Sequence, residues 1–263
     1  MRIPIYCRSC LDEGIQTNSI GLKFAHHGVL ENGIYESICS HGHSNTTILD
    51  AAKFELLFDI GMMAICDGYY RDAVSSFASS LERFYELYIN STLFTKSKSS
   101  DKTAELVWKK ISNQSERQLG AFILLYTKEN KAIPDLLKND GNKANSTKFR
   151  NNVIHKGYIP SLEEALIFGE TIHKLLSSYI KTIEKDNEKL RQFVDYYKSI
   201  LPKNPPTKKC MNSQCKSFSM LRQVGGSRAS DFEHIKLQFS NFGNRDDNYK
   251  KLRINGSFKN ENR

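Results

Sequence analysis

Apolar residues recur at steps of three and four through the middle of the chain, and this pattern constrains the fold more than any other feature. The pattern is clearest between residues 69 and 94, where the apolar stripe consists of Val74, Phe77, Leu81, Phe84 and Tyr88. This spacing places all five side chains on one face of an α-helix. The sequence therefore predicts a long helix that buries this face in a core.

Further helices are predicted on both sides of this one. We expect helices over residues 48–68 and 101–111, and another beginning at Ser115-Glu-Arg-Gln118, which has the form of a capping box. Gly157 and Pro160 end a short helix, and Ser161-Leu-Glu-Glu164 caps a last helix that extends to about residue 200. Its inward residues are Leu166, Ile172, Leu175, Leu176, Tyr179 and Ile180.

The predicted fold class is mainly α, with a bundle of about five helices over residues 48–201. The far part of the last helix, residues 181–191, is mostly charged, and we expect it to project into solvent or to pair with a partner. The sequence contains no internal repeat, no glycine-rich phosphate loop and no carboxylate cluster of the metal-site type.

Cysteine and histidine residues form two clusters in residues 1–47. Cys7 and Cys10 are followed by Cys39-Ser-His-Gly-His43, which is the ligand spacing that tetrahedral zinc requires. Short strands are predicted at residues 20–24 and 34–38, with a hairpin turn at Asn32-Gly33. About forty residues build little core, so a metal would stabilise this small β module.

The second cluster resembles the second knuckle of zinc-ribbon modules. The resemblance implies that Cys7, Cys10, Cys39 and His43 hold a structural zinc ion, with His41 as an alternative to His43. Four protein ligands leave no open position for catalysis. We expect Cys66 to be a core residue and Cys210 and Cys215 to be free thiols.

The C-terminal segment, residues 202–263, is strongly basic. Residues 203–263 contain thirteen Lys and Arg against five Asp and Glu, so eight of the nine net positive charges lie there. The segment is either a solvated tail or an arm that attracts phosphate backbones. Alternation of polar and apolar residues at 234–239 and 251–254 allows a small β element, with disorder as the alternative.

The chain is predicted to be a cytoplasmic protein without a membrane partner. No apolar run approaches the roughly 20 residues that span a bilayer. The first residues also lack the apolar stretch of a secretory signal.

The hexapeptide Arg150-Asn-Asn-Val-Ile-His155 brings together groups that can cleave RNA without a metal. On a helical wheel Phe149 and Val153 face the core, whereas Arg150, Asn151 and His155 share the outer side. An imidazole can act as a general acid or base near neutral pH, and a guanidinium can stabilise the charge of a phosphorane. Asn151 can orient the phosphate or the histidine, and Ile154 is expected to contact a second subunit.

This motif, on a short helix late in a helical bundle, resembles the Arg-x4-6-His motif of the HEPN superfamily. The resemblance covers roughly residues 48–200. It implies a metal-independent endoribonuclease whose motifs meet across a homodimer and leave 2′,3′-cyclic phosphate ends, with Arg150, Asn151 and His155 as catalytic residues. Many members of the family act as toxins or in defence against phage, whereas others only bind RNA or partners.

Three functional hypotheses follow from the sequence. The first is an endoribonuclease with RNA as its substrate, and an inhibitory or regulatory partner would be compatible with it. The second is a non-catalytic RNA-binding or regulatory protein, in which the zinc module and the basic segment bind nucleic acid. The third is a partner-binding scaffold with a solubilising tail.

Overall fold

The computed structural model describes residues 2–5, 7–13, 25–39, 41–96, 102–139, 143–201, 211–216, 232–233 and 235–236. The described part is mainly α-helical, which confirms the predicted fold class at that level. The predicted strand at residues 20–24, the sequence 251–254 and Cys210 lie outside the described residues.

Two small sheets form the N-terminal module. In the first, β1 (Arg2–Ile5) pairs antiparallel with β2 (Ala25–Gly28). The short helix α1 (Arg8–Asp12) follows β1. In the second sheet, β3 (Ile34–Ile38) pairs antiparallel with β4 (Ser44–Asp50), and the prediction of a strand at residues 34–38 is confirmed.

The turn at Asn32-Gly33 is present, but it does not close the hairpin that the sequence predicted. Gly33 has a φ of +62° and its N–H donates to the carbonyl of Leu30. The strands on either side of the turn lie in different sheets, because β2 pairs with β1 and β3 pairs with β4. The true hairpin is β3–β4, and its tip is the segment from Cys39 to His43.

Part of the basic C-terminal segment returns to this module. Strand β5 (Met211–Lys216) lies parallel to β4, in the order β3-β4-β5. The sequence allowed a β element at residues 234–239. The two of these residues that the structure describes, Ile235 and Lys236, are helical, so the prediction of a strand is wrong there. The module therefore contains strands from residues 2–50 and one strand from the C-terminal segment.

The bundle begins later in the chain than the periodicity indicated. Residues 48–50 belong to β4, and α2 (Lys53–Cys66) begins where the carboxylate of Glu55 accepts a hydrogen bond from the N–H of Ala52. The long helix α3 (Tyr70–Lys96) carries the predicted stripe. Next come α4 (Lys102–Ile111), α5 (Ser115–Asn130) and the short α6 (Thr147–Lys156).

The predicted last helix is two helices. Helix α7 (Leu162–Glu184) begins at the Ser161 capping box, and α8 (Asn187–Ile200) follows a break. The break occurs because the carboxylate of Asp186 accepts hydrogen bonds from the N–H groups of Glu188 and Lys189, so Asp186 caps a new helix. The ammonium of Lys189 also donates to the carbonyl of Glu129, so this charged stretch packs partly on the bundle.

The core of the bundle is built around α3. The five residues of its predicted stripe are all buried, as are five of the six predicted inward residues of α7, and Leu166 is half-buried. Phe77 packs so closely on α2 and α7 that a Cβ atom at Gly61 or Gly169 would lie 2.6 Å or 2.8 Å from its ring. Glycine at these two positions therefore lets three helices meet.

Two further predictions about single residues were wrong. Ser115 does not cap α5, because Gln114 is the N-cap residue and makes no side-chain cap bond. Cys66 is exposed at the last residue of α2, whereas Met62 and Met63 turn into the core. Among the described helices, none is both long and apolar enough to cross a membrane.

Candidate functional site

The four predicted metal ligands lie together. The ligand atoms of Cys7, Cys10, Cys39 and His43 all lie within 4.8 Å of one another. Cys10 belongs to α1, and Cys39 and His43 flank the tip of the β3–β4 hairpin. At that tip Gly42 has a φ of +83°, which a residue with a Cβ atom rarely adopts. The turn thus brings Cys39 and His43 to the same side.

Three of the distances within the cluster are close to those of a tetrahedral zinc site. Zinc bonds of ~2.3 Å to sulfur and ~2.0 Å to nitrogen give ligand separations of ~3.8 Å between sulfurs and ~3.5 Å between sulfur and nitrogen. The Sγ atoms of Cys10 and Cys39 are 3.6 Å apart. Nδ1 of His43 lies 3.4 Å from Sγ of Cys10 and 3.7 Å from Sγ of Cys7. The cluster can therefore bind a metal ion, and its geometry is compatible with zinc.

The electrostatics of the cysteines differ within the cluster. Burial raises the pKa of Cys10 to about 12, and the hydrogen bonds with Cys7 and Cys39 add to the rise. Burial also raises the pKa of Cys39, but hydrogen bonds from the backbone of His41 and His43 and from the neighbouring thiols lower it to about 6. A thiolate at Cys39 is the form that binds a cation.

His43 and His41 occupy different positions. Nδ1 of His43 faces the sulfurs, and its Nε2 lies 3.3 Å from the carboxylate of Glu13. His41 is exposed, and its Nδ1 contacts Sγ of Cys10 alone among the cluster's described ligand atoms, at 3.4 Å. The set of four ligand atoms that all lie within 4.8 Å of one another includes His43 and not His41. The sequence did not lead us to Glu13, although an acidic residue three positions after the second cysteine could have indicated a contact with the metal site.

The second candidate site lies on α6, whose ends are fixed by local chemistry. The hydroxyl of Ser146 accepts a hydrogen bond from the N–H of Phe149, and Gly157 ends the helix with a φ of +71°. Phe149 and Val153 are buried, as the helical wheel predicted. Their burial fixes which residues of α6 face outward.

Arg150 is oriented by two acceptors. One guanidinium nitrogen donates to the side-chain oxygen of Asn151 at 3.0 Å, and another lies 3.4 Å from the carboxylate of Glu82 on α3. About a fifth of the Arg150 side chain remains exposed. Glu82 follows Leu81 of the buried stripe directly, which places it on the flank of α3, but its contact with α6 had no signal in the sequence.

His155 is exposed at the last turn of α6. Its ring makes no hydrogen bond or ion pair with any residue that the structure describes, Arg150 and Asn151 included. Ile154, which was expected to contact a second subunit, is half-buried and packs against the core of its own chain. The structure thus joins Arg150 and Asn151 by a hydrogen bond, and His155 takes no part in that bond.

A separate open groove of about 470 Å³ lies at the start of α7. Its walls do not include the three candidate residues of α6. They are formed by Ser161, Leu162, Glu163, Leu166, Ile167, Glu170, Phe232 and Lys236.

Comparisons with known proteins gave no match to a family model, to a curated protein or to a solved structure. The two sites are therefore interpreted from their own geometry and chemistry.

Proposed function

We propose that the helical bundle is a metal-independent endoribonuclease that resembles the HEPN superfamily. The observation that carries the proposal is the side-chain arrangement on α6, where Arg150 is held by Asn151 and Glu82 while His155 is exposed to solvent. A guanidinium has five N–H donors in a planar fork, so donors remain for a phosphate when two are directed to Asn151 and Glu82.

In the proposed reaction, the 2′-hydroxyl of a ribose attacks the adjacent phosphorus. A base removes the 2′ proton as the new P–O bond forms, and an acid gives a proton to the 5′ oxygen as the P–O5′ bond breaks. The products are a 2′,3′-cyclic phosphate and a 5′-hydroxyl. Arg150 stabilises the charge on the phosphorane, and His155 transfers one of the two protons.

The proposed active unit is a homodimer. The reaction needs an acid and a base, and each α6 offers a single imidazole. A second copy would supply the other proton-transfer group and a second arginine. Because His155 projects from the surface, it is accessible to such a partner.

We also propose that zinc is the metal of the Cys/His cluster and that its role is structural.

The protein is proposed to act in the cytoplasm, where thiols are kept reduced. By resemblance to the family, its role would be that of a toxin or an anti-phage defence protein, with an inhibitory partner as one form of control.

The central test is cleavage of a synthetic RNA by purified protein with His155→Ala. General acid–base catalysis contributes about 10²–10⁴-fold in rate, so we expect a loss of at least that size. Arg150→Ala should cause a comparable loss. Lys156→Ala is the matched control, because Lys156 is an exposed cation next to His155 on the same helix. The rate of RNA cleavage by this variant should change by less than about threefold. Cleavage that persists in His155→Ala would refute the proposal.

The second candidate function is RNA binding without cleavage. It is favoured by the strand β5, which joins the basic C-terminal segment to the sheet that carries the Cys/His cluster. It predicts RNA affinity that falls steeply with salt and is unaffected by His155→Ala, with no cleavage by the unchanged protein. Filter binding at several salt concentrations, together with the cleavage assay, distinguishes the two candidates.

A further inference from the structure

Glu13 joins the two halves of the Cys/His cluster. Its N–H donates to the carbonyl of Ser9 at 2.9 Å, so the backbone continues the turn of α1 that contains Cys10. Its carboxylate reaches across to the β3–β4 hairpin and lies 3.3 Å from Nε2 of His43. The segment that supplies the first cysteine pair thus holds the histidine of the second cluster.

This contact decides which nitrogen of His43 is available to a metal. A neutral imidazole carries one proton, and a carboxylate beside Nε2 favours the tautomer with the proton on Nε2. The lone pair is then on Nδ1, which is the atom that faces Sγ of Cys7 and Cys10. Carboxylates of this kind fix the orientation and tautomer of metal-bound histidines, and removing them costs about 10–100-fold in metal affinity.

The contact also distinguishes His43 from His41. Both rings place Nδ1 3.4 Å from Sγ of Cys10. Within the described residues, His43 contacts a carboxylate and His41 does not.

We infer that Glu13 is a positioning residue of the metal site, which orients His43 and directs its Nδ1 to the ion. The inference rests on metal binding by the cluster and is independent of any ribonuclease activity. Glu13 does not itself ligate the metal, since its carboxylate is directed to the far side of the imidazole.

The test measures Zn²⁺ affinity by competition with a chelator at neutral pH, in full-length protein carrying His41→Ala so that His41 cannot substitute for His43. In this background Glu13→Ala should weaken Zn²⁺ binding about 10–100-fold, and Glu13→Gln, which keeps an acceptor, should weaken it less. Glu36→Ala is the matched control, because Glu36 is an exposed carboxylate in the same module, and it should leave the affinity unchanged. Equal affinity of the Glu13→Ala and Glu13 proteins would overturn the inference.

A second measurement follows the tautomer directly. The ¹⁵N chemical shifts of the His43 ring should identify a metal-bound Nδ1 and a protonated Nε2 in the protein with Glu13. A metal-bound Nε2 would overturn the role of Glu13. If the His41→Ala protein bound no Zn²⁺, His43 would not be the ligand and the inference would fail together with that assignment, whereas the proposed ribonuclease would be unaffected.

Discussion

The helical bundle and the N-terminal module are stabilised by different interactions. The bundle buries a continuous apolar core in which aromatic rings surround Phe84. The apolar cluster of the module consists, within the described residues, of buried Tyr35 and Leu49 with a few half-buried neighbours. A core of that size cannot offset the conformational entropy of the module. We therefore attribute the order of the module to its Cys/His cluster.

Removal of the metal is the change that should separate the two regions most. Binding of structural zinc supplies about 10–16 kcal/mol in zinc-finger peptides, so a module that depends on the cluster should lose its fold with a strong chelator. The bundle contains none of the four ligands and should keep its helices. Hydrogen exchange should show loss of protection in β3 and β4 but not in α3, and the far-UV signal should stay mainly helical.

Cys10→Ser should reproduce the effect of the chelator. Cys66→Ser is its matched control, because Cys66 is an exposed cysteine on α2 outside the cluster. A cooperative loss of helix in Cys10→Ser would contradict the comparison, since the bundle would then depend on the module.

Phe84→Ala is the corresponding change in the bundle. The ring of Phe84 is fully buried and packs on five other rings, those of Phe54, Tyr88, Phe122, Tyr179 and Phe193. Truncation should lower the free energy of unfolding by about 3–5 kcal/mol in urea denaturation. Leu124→Ala, at a side chain that is 73% exposed, should change it by less than about 0.5 kcal/mol. Zn²⁺ affinity should be the same in both variants, and a decrease in Phe84→Ala alone would show that the regions are coupled.

The sequence predicted those features of the bundle that depend on local spacing. The stripe on α3 was predicted because core-facing residues of a helix must recur with its period. The Ser161 capping box was predicted because its two hydrogen bonds join residues three apart. The break at Asp186 was missed, since a side chain that caps a new helix competes with continued helix and the apolar pattern does not report this competition.

In the candidate sites too, local spacing predicted some residues and missed others. Cys7, Cys10, Cys39 and His43 were identified from the sequence because metal ligands must be close in space and two short spacings bring them there. Glu82 could not be identified, because its contact with Arg150 is set by how α3 packs on α6. Strand β5 was missed for a similar reason, since it lacks strong alternation and gains its partner, β4, from far away in the chain.

Two side-chain hydrogen bonds between the described residues join the two regions. At the start of α2, the ammonium of Lys53 donates to the carboxylate of Glu31 in the module. The hydroxyl of Tyr197 on α8 donates to the carboxylate of Asp50, the last residue of β4, at 2.8 Å. Burial raises the pKa of Tyr197, and the nearby carboxylates of Glu55 and Asp50 raise it further. Tyr197 therefore remains a protonated donor throughout the neutral range.

Among these changes Tyr197→Phe should have the smallest effect, and it tests how far the two regions are independent. A hydrogen bond to a charged acceptor contributes about 1.5–3 kcal/mol, and its loss should appear as faster hydrogen exchange at the end of β4 and in α8. Tyr69→Phe is the control, because Tyr69 is largely exposed. If metal-free protein shows the same exchange change in α8 as Tyr197→Phe, the module stabilises the bundle through this contact. If α8 is unaffected by metal removal, Asp50 keeps its contact without the rest of the sheet, and the boundary between the regions lies before the end of β4.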